Sequence, residues 1–320
     1  MLLESSSKSF RFVSQSPPAP HGRPLPARVA AHRKSQDLEA LLEPLAVSGL
    51  PVLVCGEPGT GKSAYVDALI KRSSRGHAPL VRLAARALPN EEELFGVERA
   101  DGQGPSSEGL LSKADGGTVA IEDIDDLPPA LERRFLRLFH DGELSPVGST
   151  ITRRVDLRIL ATCSAAADPT SLRGEPLHKA FTMTVTLPPL RKRRDDIELL
   201  AKHFARLAME RTLTEPIVVL TRDAVAKLRS HAWPGNAHEL RRVIEDAVMA
   251  ARGAPIDPTH LSLVVAKPSS AAGNGERERI VSALTEGAWN QSRAAEILGV
   301  SRRTVIRKME RFGIPRPRKG

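Results

Sequence analysis

Aromatic side chains are scarce in this 320-residue chain, at 3% of residues, while hydrophobic residues reach 41%. Any core must therefore be mostly aliphatic. Cysteine is scarcer still. Cys55 and Cys163 are the only two, far apart and without C-x-x-C spacing, and both sit in apolar runs that read as buried strands. That excludes a disulfide framework or a cysteine-rich zinc site and fits a reducing, cytoplasmic compartment. No apolar run approaches the ~20 residues of a membrane-spanning helix, and residues 1–13 lack the apolar stretch of a signal peptide. Acidic residues are outnumbered: 38 Asp+Glu face 47 Lys+Arg, a net charge of +9. The balance favours an anionic partner, most simply nucleic acid, and a nucleoid-associated location.

Against these absences stands one dense motif: Gly56, Glu57, Pro58, Gly59, Thr60, Gly61, Lys62 and Ser63. The apolar run Val52–Cys55 precedes it, and a helical pattern with Tyr65, Val66, Leu69 and Ile70 on one face follows. Strand, glycine loop and helix make G-x-x-x-x-G-K-[ST] a phosphate-binding loop. The glycines let backbone N–H groups cradle anionic oxygens, and the helix N-terminus adds its positive end. Lys62 is placed to reach the terminal phosphates, and Ser63 to ligate Mg²⁺. ATP and Mg²⁺ are the expected cofactors.

The remainder falls into segments. Residues 1–34 are rich in Ser, Pro and Arg and read as a disordered basic arm. Ser35 is a candidate cap for a helix with Leu38, Leu41, Leu42 and Leu45 on one stripe. Strands are expected at Leu80–Leu83, Thr118–Ile121 and Leu157–Thr162, with a helix over Ala130–His140. This alternation predicts an α/β domain over 35–187 with a mainly parallel sheet. Glu122 and Asp123 end one strand, where Mg²⁺ and an attacking water are managed. From 188 to 266 the pattern is helical, a lid, with Asn236 as the cap of its third helix. Residues 267–275 form a flexible linker.

The last 45 residues, 276–320, hold eleven Lys/Arg against five Asp/Glu. Three helices are expected, with Asn290 and Ser301 as caps and Gly299 in the turn between the second and third. Ala295, Leu298, Val300, Val305 and Met309 would form the small core. Arg302, Arg303, Thr304, Arg307 and Lys308 are then left outward on a helix suited to the major groove of double-stranded DNA. Because one such module contacts few base pairs, a dimer on a roughly palindromic site is expected.

The motifs GEPGTGKS at 56–63, ELFG at 93–96, ADGGT at 114–118, LPPLR at 187–191, WPGN at 233–236 and AAEILGVSRRTVIRKM at 294–309 together carry a resemblance. The chain resembles the sigma-54-interacting AAA+ activators, bacterial enhancer-binding proteins with a C-terminal Fis-type helix-turn-helix. The resemblance implies a cytoplasmic transcription regulator that assembles as an ATP-driven hexamer and engages sigma-54 RNA polymerase; it also admits co-assembly with a paralogous activator. The chain looks like the branch lacking an N-terminal sensory domain.

Departures from the family pattern concentrate in the hydrolytic and coupling parts. Val97 to Glu108 reads VERADGQGPSSE where the family places the sigma-54-contacting GAFTGA loop. Glu122-Asp123 reverses the family's Asp-Glu order, so the resemblance implies Glu122 on the Mg²⁺ side and Asp123 on the water side, with a register shift pairing Asp123 with Asp125 left open. The family's sensor asparagine aligns with Ser164. Its two intersubunit arginines align with Arg173 and Lys179, and its lid arginine aligns with His238. The resemblance thus implies an intact binding loop beside altered catalytic positions, with weak ATPase activity the expectation and an active ATPase that drives sigma-54 open-complex formation the alternative.

Overall fold

The computed structural model describes residues 31–98, 107–149, 152–164, 176–210, 219–263, 280–300 and 302–315. Residues 1–30 of the arm, the linker at 267–275, Arg173 and Ser301 lie outside the described residues.

The nucleotide-binding module runs α1 (Arg33–Ser48), β1 (Val52–Cys55), α2 (Lys62–Arg72), β2 (Leu80–Ala84), α3 (Glu91–Phe95), β3 (Gly96–Val97) and β4 (Ser107–Glu108). It continues with α4 (Leu110–Lys113), β5 (Thr118–Glu122), α5 (Pro129–Asp141), β6 (Glu143–Leu144), β7 (Arg153–Arg154), β8 (Arg158–Cys163), α6 (Pro176–Lys179) and β9 (Met183–Thr186). Five of these strands form a parallel sheet in the order β2-β5-β8-β1-β9. β1 and β8 are buried along their whole length; β1 is an unbroken apolar run, as a central parallel strand should be, and β8 is apolar except for Arg158 and Thr162. One face packs on α5, whose Leu131, Phe135 and Leu138 are buried; the other packs on α1 and α2. The expected α/β class is what forms.

The register makes the two cysteines direct neighbours. Cys55 pairs with Cys163; both are buried and not joined in a disulfide, and the Cys163 thiol donates to Cys55 Sγ at 2.8 Å. The neighbouring Cys163 thiol holds the Cys55 pKa below its usual value. Sequence distance hid a contact that sheet order creates.

Ser35 does not cap α1. His32 does, its Nδ1 accepting from the Lys34 N–H, while the Ser35 hydroxyl donates to the Asp196 carboxylate. Asp196 is fully buried and also accepts from the Ala31 and His32 N–H groups at 2.7 and 2.8 Å. A buried carboxylate needs such donors, and this one recruits the entry to α1.

The lid comprises α7 (Asp196–Met209), α8 (Arg222–Ser230) and α9 (Asn236–Ala251), packed around the fully buried Trp233. Beyond it lie α10 (280–286), α11 (Gln291–Leu298) and α12 (Arg302–Arg311). Asn290 caps α11 as expected, and Gly299, at φ 63°, makes the tight turn into α12. Ala295, Val305 and Met309 are buried, with Leu298 and Val300 packed against them. The helix-turn-helix core is the expected one.

Arg158 opens β8 at 2% exposure and donates to the Leu45 and Ala46 carbonyls at 2.6 and 2.9 Å, closing the last turn of α1. Arg158→Leu should therefore lower unfolding stability by about 1.5–3 kcal/mol, the scale of hydrogen bonds to a charged group. Urea titration measures it; a change within about 0.5 kcal/mol, the range of a neutral surface substitution, would show that α1 does not depend on this clamp.

Candidate functional site

The phosphate loop leaves β1 at Gly56 and enters α2 at Lys62. It is built to expose N–H groups. Gly59 and Gly61 take φ of 77° and 103°, which side-chain-bearing residues rarely adopt. Thr60 folds back, its hydroxyl donating to the Glu57 carbonyl at 2.8 Å. Lys62 is buried at 9% exposure, its Nζ donating to the Gly56 carbonyl at 3.0 Å and the Glu57 carbonyl at 3.5 Å. The ammonium is thus held at the loop's centre by weak acceptors that phosphate oxygens would replace.

The lid fastens on this loop through Asn236, which is not the helix cap expected from sequence. The cap is Gly235, and Asn236, at φ 54°, turns its side chain inward. Its Nδ2 donates to the Pro58 carbonyl at 2.9 Å and to Glu57 at 3.3 Å, while its Oδ1 accepts from the Leu190 N–H at 2.8 Å. Ala237 N–H donates to the Gly59 carbonyl at 2.9 Å. Gly59 and Gly235 approach so closely that a Cβ on Gly59 would meet the Gly235 oxygen at 2.3 Å. Arg191 grips both Glu57 oxygens, and this bond holds the Glu57 carboxyl below its usual pKa. Arg193 donates to the Thr60 carbonyl at 2.7 Å.

A pocket opens between loop, sheet edge and lid. Pro58, Gly59, Gly61, Lys62 and Ser63 line it from the loop. Glu122, Asp123 and Ser164 line it from the ends of β5 and β8, and His238 from α9. These residues, far apart in sequence, are brought together as expected. Glu122 is exposed. Asp123 sits at φ 50°, its N–H donating to Thr162 Oγ1 at 3.0 Å and its Oδ1 accepting the Ser164 hydroxyl at 2.7 Å. Asp125 instead accepts the Ser164 N–H at 3.3 Å, so the pocket-facing pair is Glu122 with Asp123. The Ser63 hydroxyl and the Glu122 carboxylate are both hard oxygen donors lining the pocket, a donor type that suits Mg²⁺. Lys179 is exposed on α6 and does not line this pocket.

Sequence reasoning missed three lining cations and supports. Arg241 lies one turn beyond His238 on the same face of α9, a spacing that i, i+3 geometry makes legible. Arg86 follows β2 in a 3₁₀ turn and pairs with Asp126 at 2.6 Å, a bond that raises the Arg86 pKa. Asp67 lines the pocket from α2. No sequence period marks these last two.

The helix-turn-helix corrects one expectation. Arg302 is exposed, but Thr304, expected to face outward, is 3% exposed, and its hydroxyl donates to the Asp125 carbonyl at 3.1 Å. The first turn of α12 rests on the nucleotide-binding module, and its small side chain is the one that fits there. Lys308 is half-buried; the side chains of Arg303 and Arg307 lie outside the described residues.

Comparison with known proteins follows this division. Residues 29–175 match the family described as Sigma-54 interaction domain, 191–278 the AAA+ ATPase lid domain, and 274–312 the Bacterial regulatory protein, Fis family. The transcriptional regulatory protein ZraR of Salmonella typhimurium is 35% identical over 315 residues, covering 91% of this chain and 71% of that protein. The DNA-binding transcriptional activator HyfR of Escherichia coli is 34% identical over 317 residues, covering 88% and 47%. The crystal structure of NtrX from Brucella abortus in complex with ADP superposes with a TM-score of 0.63 at 25% identity, covering 89% of this chain and 69% of that one. The chain spans about half to seven-tenths of the length of these relatives. Among the described residues no helix is long and apolar enough to cross a membrane. By matched domains in matched order, and by identity across most of ZraR, the chain belongs to the sigma-54-interacting AAA+ family of transcriptional regulators with a C-terminal Fis-type helix-turn-helix.

Proposed function

We propose that this chain is a DNA-binding transcription regulator that binds Mg-ATP between phosphate loop and lid, hydrolyses it slowly, and does not itself remodel sigma-54 polymerase. The observation that carries the reading is the pocket in which an intact phosphate loop faces a reversed carboxylate pair. Lys62 would exchange its two carbonyl partners for phosphate oxygens, and the Gly59 and Gly61 region would present N–H groups. Ser63 and Glu122 would hold Mg²⁺, which when bound neutralises phosphate charge.

Slow hydrolysis is supported by the water-side group. Asp123 is one methylene shorter than the family's glutamate, and one of its oxygens already accepts the Ser164 hydroxyl. A displacement of about 1 Å at such a position costs on the order of 100-fold in rate. Lys179 lacks the planar fork with which arginine spreads charge over a transferring phosphoryl group, and the coupling segment 97–108 lacks GAFTGA. Nucleotide then acts mainly as a ligand that orders loop and lid. On DNA, two copies of 276–320 would read a roughly palindromic site, with α12 in the major groove. Arg302 and Arg303 would read bases, Arg307 a base or a phosphate, and Lys308 phosphate.

Fluorescent-nucleotide titration should detect Mg-ATP binding that Lys62→Ala abolishes; equal affinity in both proteins would defeat the assignment of the loop. Steady-state turnover should fall well below the ~1 per second at the low end of ordinary enzymes, and the double exchange Glu122→Asp with Asp123→Glu should raise it. In a purified sigma-54 transcription assay the unmodified protein should give no ATP-dependent open complex, and transcripts would show that another segment does the coupling.

For DNA, binding to a sequence selected from a random pool should weaken by about 1–3 kcal/mol with Arg302→Ala, with preference relaxed at one base. Lys308→Ala should weaken all sequences alike and flatten the salt slope by about one. A pool without a shared motif would remove the helix-turn-helix from this role.

A further inference from the structure

The recognition helix α12 carries Arg302, Arg303, Arg307 and Lys308 within seven residues, with no acidic residue among them. The strand end that lines the nucleotide pocket carries the opposite charge: Glu122, Asp123, Asp125 and Asp126 lie within five residues. In the folded chain these two stretches meet. The Thr304 hydroxyl donates to the Asp125 carbonyl at 3.1 Å, and Thr304 keeps only 3% of its surface. Around that bond a crevice is walled by Arg86, Asp126 and Pro128 on one side and by Leu298, Val300 and Lys308 on the other. The second wall is the turn of the helix-turn-helix with one face of α12. The first turn of that helix is the part that enters a groove of DNA. It cannot lie in a groove and against Asp125 at once.

We propose that the acidic corner from Glu122 to Pro128 is a docking surface for the chain's own recognition helix, and that DNA must displace the helix from it. The inference rests on the reading of α12 as the DNA reader. Charge suits the corner to this occupant, since a stretch with four acidic residues at 122–126 meets a helix with four basic and no acidic residues at 302–308. The corner is also tied to the nucleotide pocket. Arg86 lines both the pocket and the crevice. Ser164, which lines the pocket, holds Asp123 through its hydroxyl and Asp125 through its N–H. The carbonyl that receives Thr304 therefore belongs to a segment pinned from within the pocket.

A docked helix lowers apparent DNA affinity by the fraction of molecules that are undocked, so a tenfold preference for docking costs about tenfold in affinity. The test uses the full chain and a DNA duplex selected by the unmodified protein, read by fluorescence anisotropy at fixed salt. Pro128→Arg sets a like charge against the basic helix from a position outside the nucleotide pocket, and should tighten binding by about three- to tenfold. An added arginine can itself attract DNA, so a lock carries the decision. The double variant Pro128→Cys with Val300→Cys spans the crevice, and the native cysteines are buried at 2% and 0% exposure and do not compete. Oxidised, it should cross-link within one chain and lose at least about tenfold in DNA affinity, regained on reduction. DNA binding unchanged by the closed lock overturns the docking while leaving the DNA reading intact. So does a cross-link recovered only between two chains. Failure of every form, reduced or not, to bind DNA overturns the DNA reading and the docking with it.

Discussion

The contact on which the rest of the structure depends is the seam between the phosphate loop and the lid. A glycine loop alone is a poor holder of shape, because the freedom that lets it wrap phosphate also lets it wander. Here its outer carbonyls are taken. Asn236 binds Pro58, Ala237 binds Gly59, and Arg193 binds Thr60, so three successive loop residues are fixed by backbone acceptors. The inner face, with Lys62 and the N–H groups of Gly59 and Gly61, is left toward the pocket. A loop secured from behind presents its donors forward, which is the arrangement an anion requires. The missing side chains of Gly59 and Gly235 are what let the two backbones approach.

The broad plan was legible in the sequence because period and punctuation agree there. Apolar runs marked β1, β5 and β8, the amphipathic stripe marked α5, and Asn290 with Gly299 marked the helix-turn-helix to within a residue or two. The gathering of Lys62, Ser63, Glu122, Asp123, Ser164 and His238 was also legible, the first two from the phosphate-loop motif and the others from the alignment that the resemblance supplies. What escaped was decided by long-range packing. Ser35 and Asn236 both look like helix caps, yet each spends its side chain elsewhere: Ser35 on the buried Asp196, Asn236 on the loop. A polar residue at a helix start has two uses, and only the tertiary neighbour chooses between them. Arg86 escaped because a 3₁₀ turn has no periodic signature, and the Cys55–Cys163 contact because register across β1 and β8 is not written in either strand alone.

The acidic end of β5 shows how one segment serves two surroundings. The left-handed Asp123 breaks the strand, so Asp123 faces the pocket while Asp126 lines the crevice against the helix-turn-helix. Burial then dictates partners. Asp126, 6% exposed, takes Arg86, and the Asp123 and Asp125 carboxylates share Ser164. Ser164 serves both carboxylates because its hydroxyl and backbone N–H point to different ones.

The lid helix also has a mechanical side. α9 is rooted in the seam at Asn236 and runs 16 residues to Ala251, a rod about 24 Å long at the α-helical rise. A tilt of about 10° at the root swings the far tip by about 4 Å. Because the root is hydrogen-bonded to the Pro58 and Gly59 carbonyls, small rearrangements of the loop backbone act on it directly. The lid is in this sense an amplifier: it turns a shift of a fraction of an ångström beside a phosphate into a displacement of several ångströms on the side of the molecule from which the chain continues toward its helix-turn-helix.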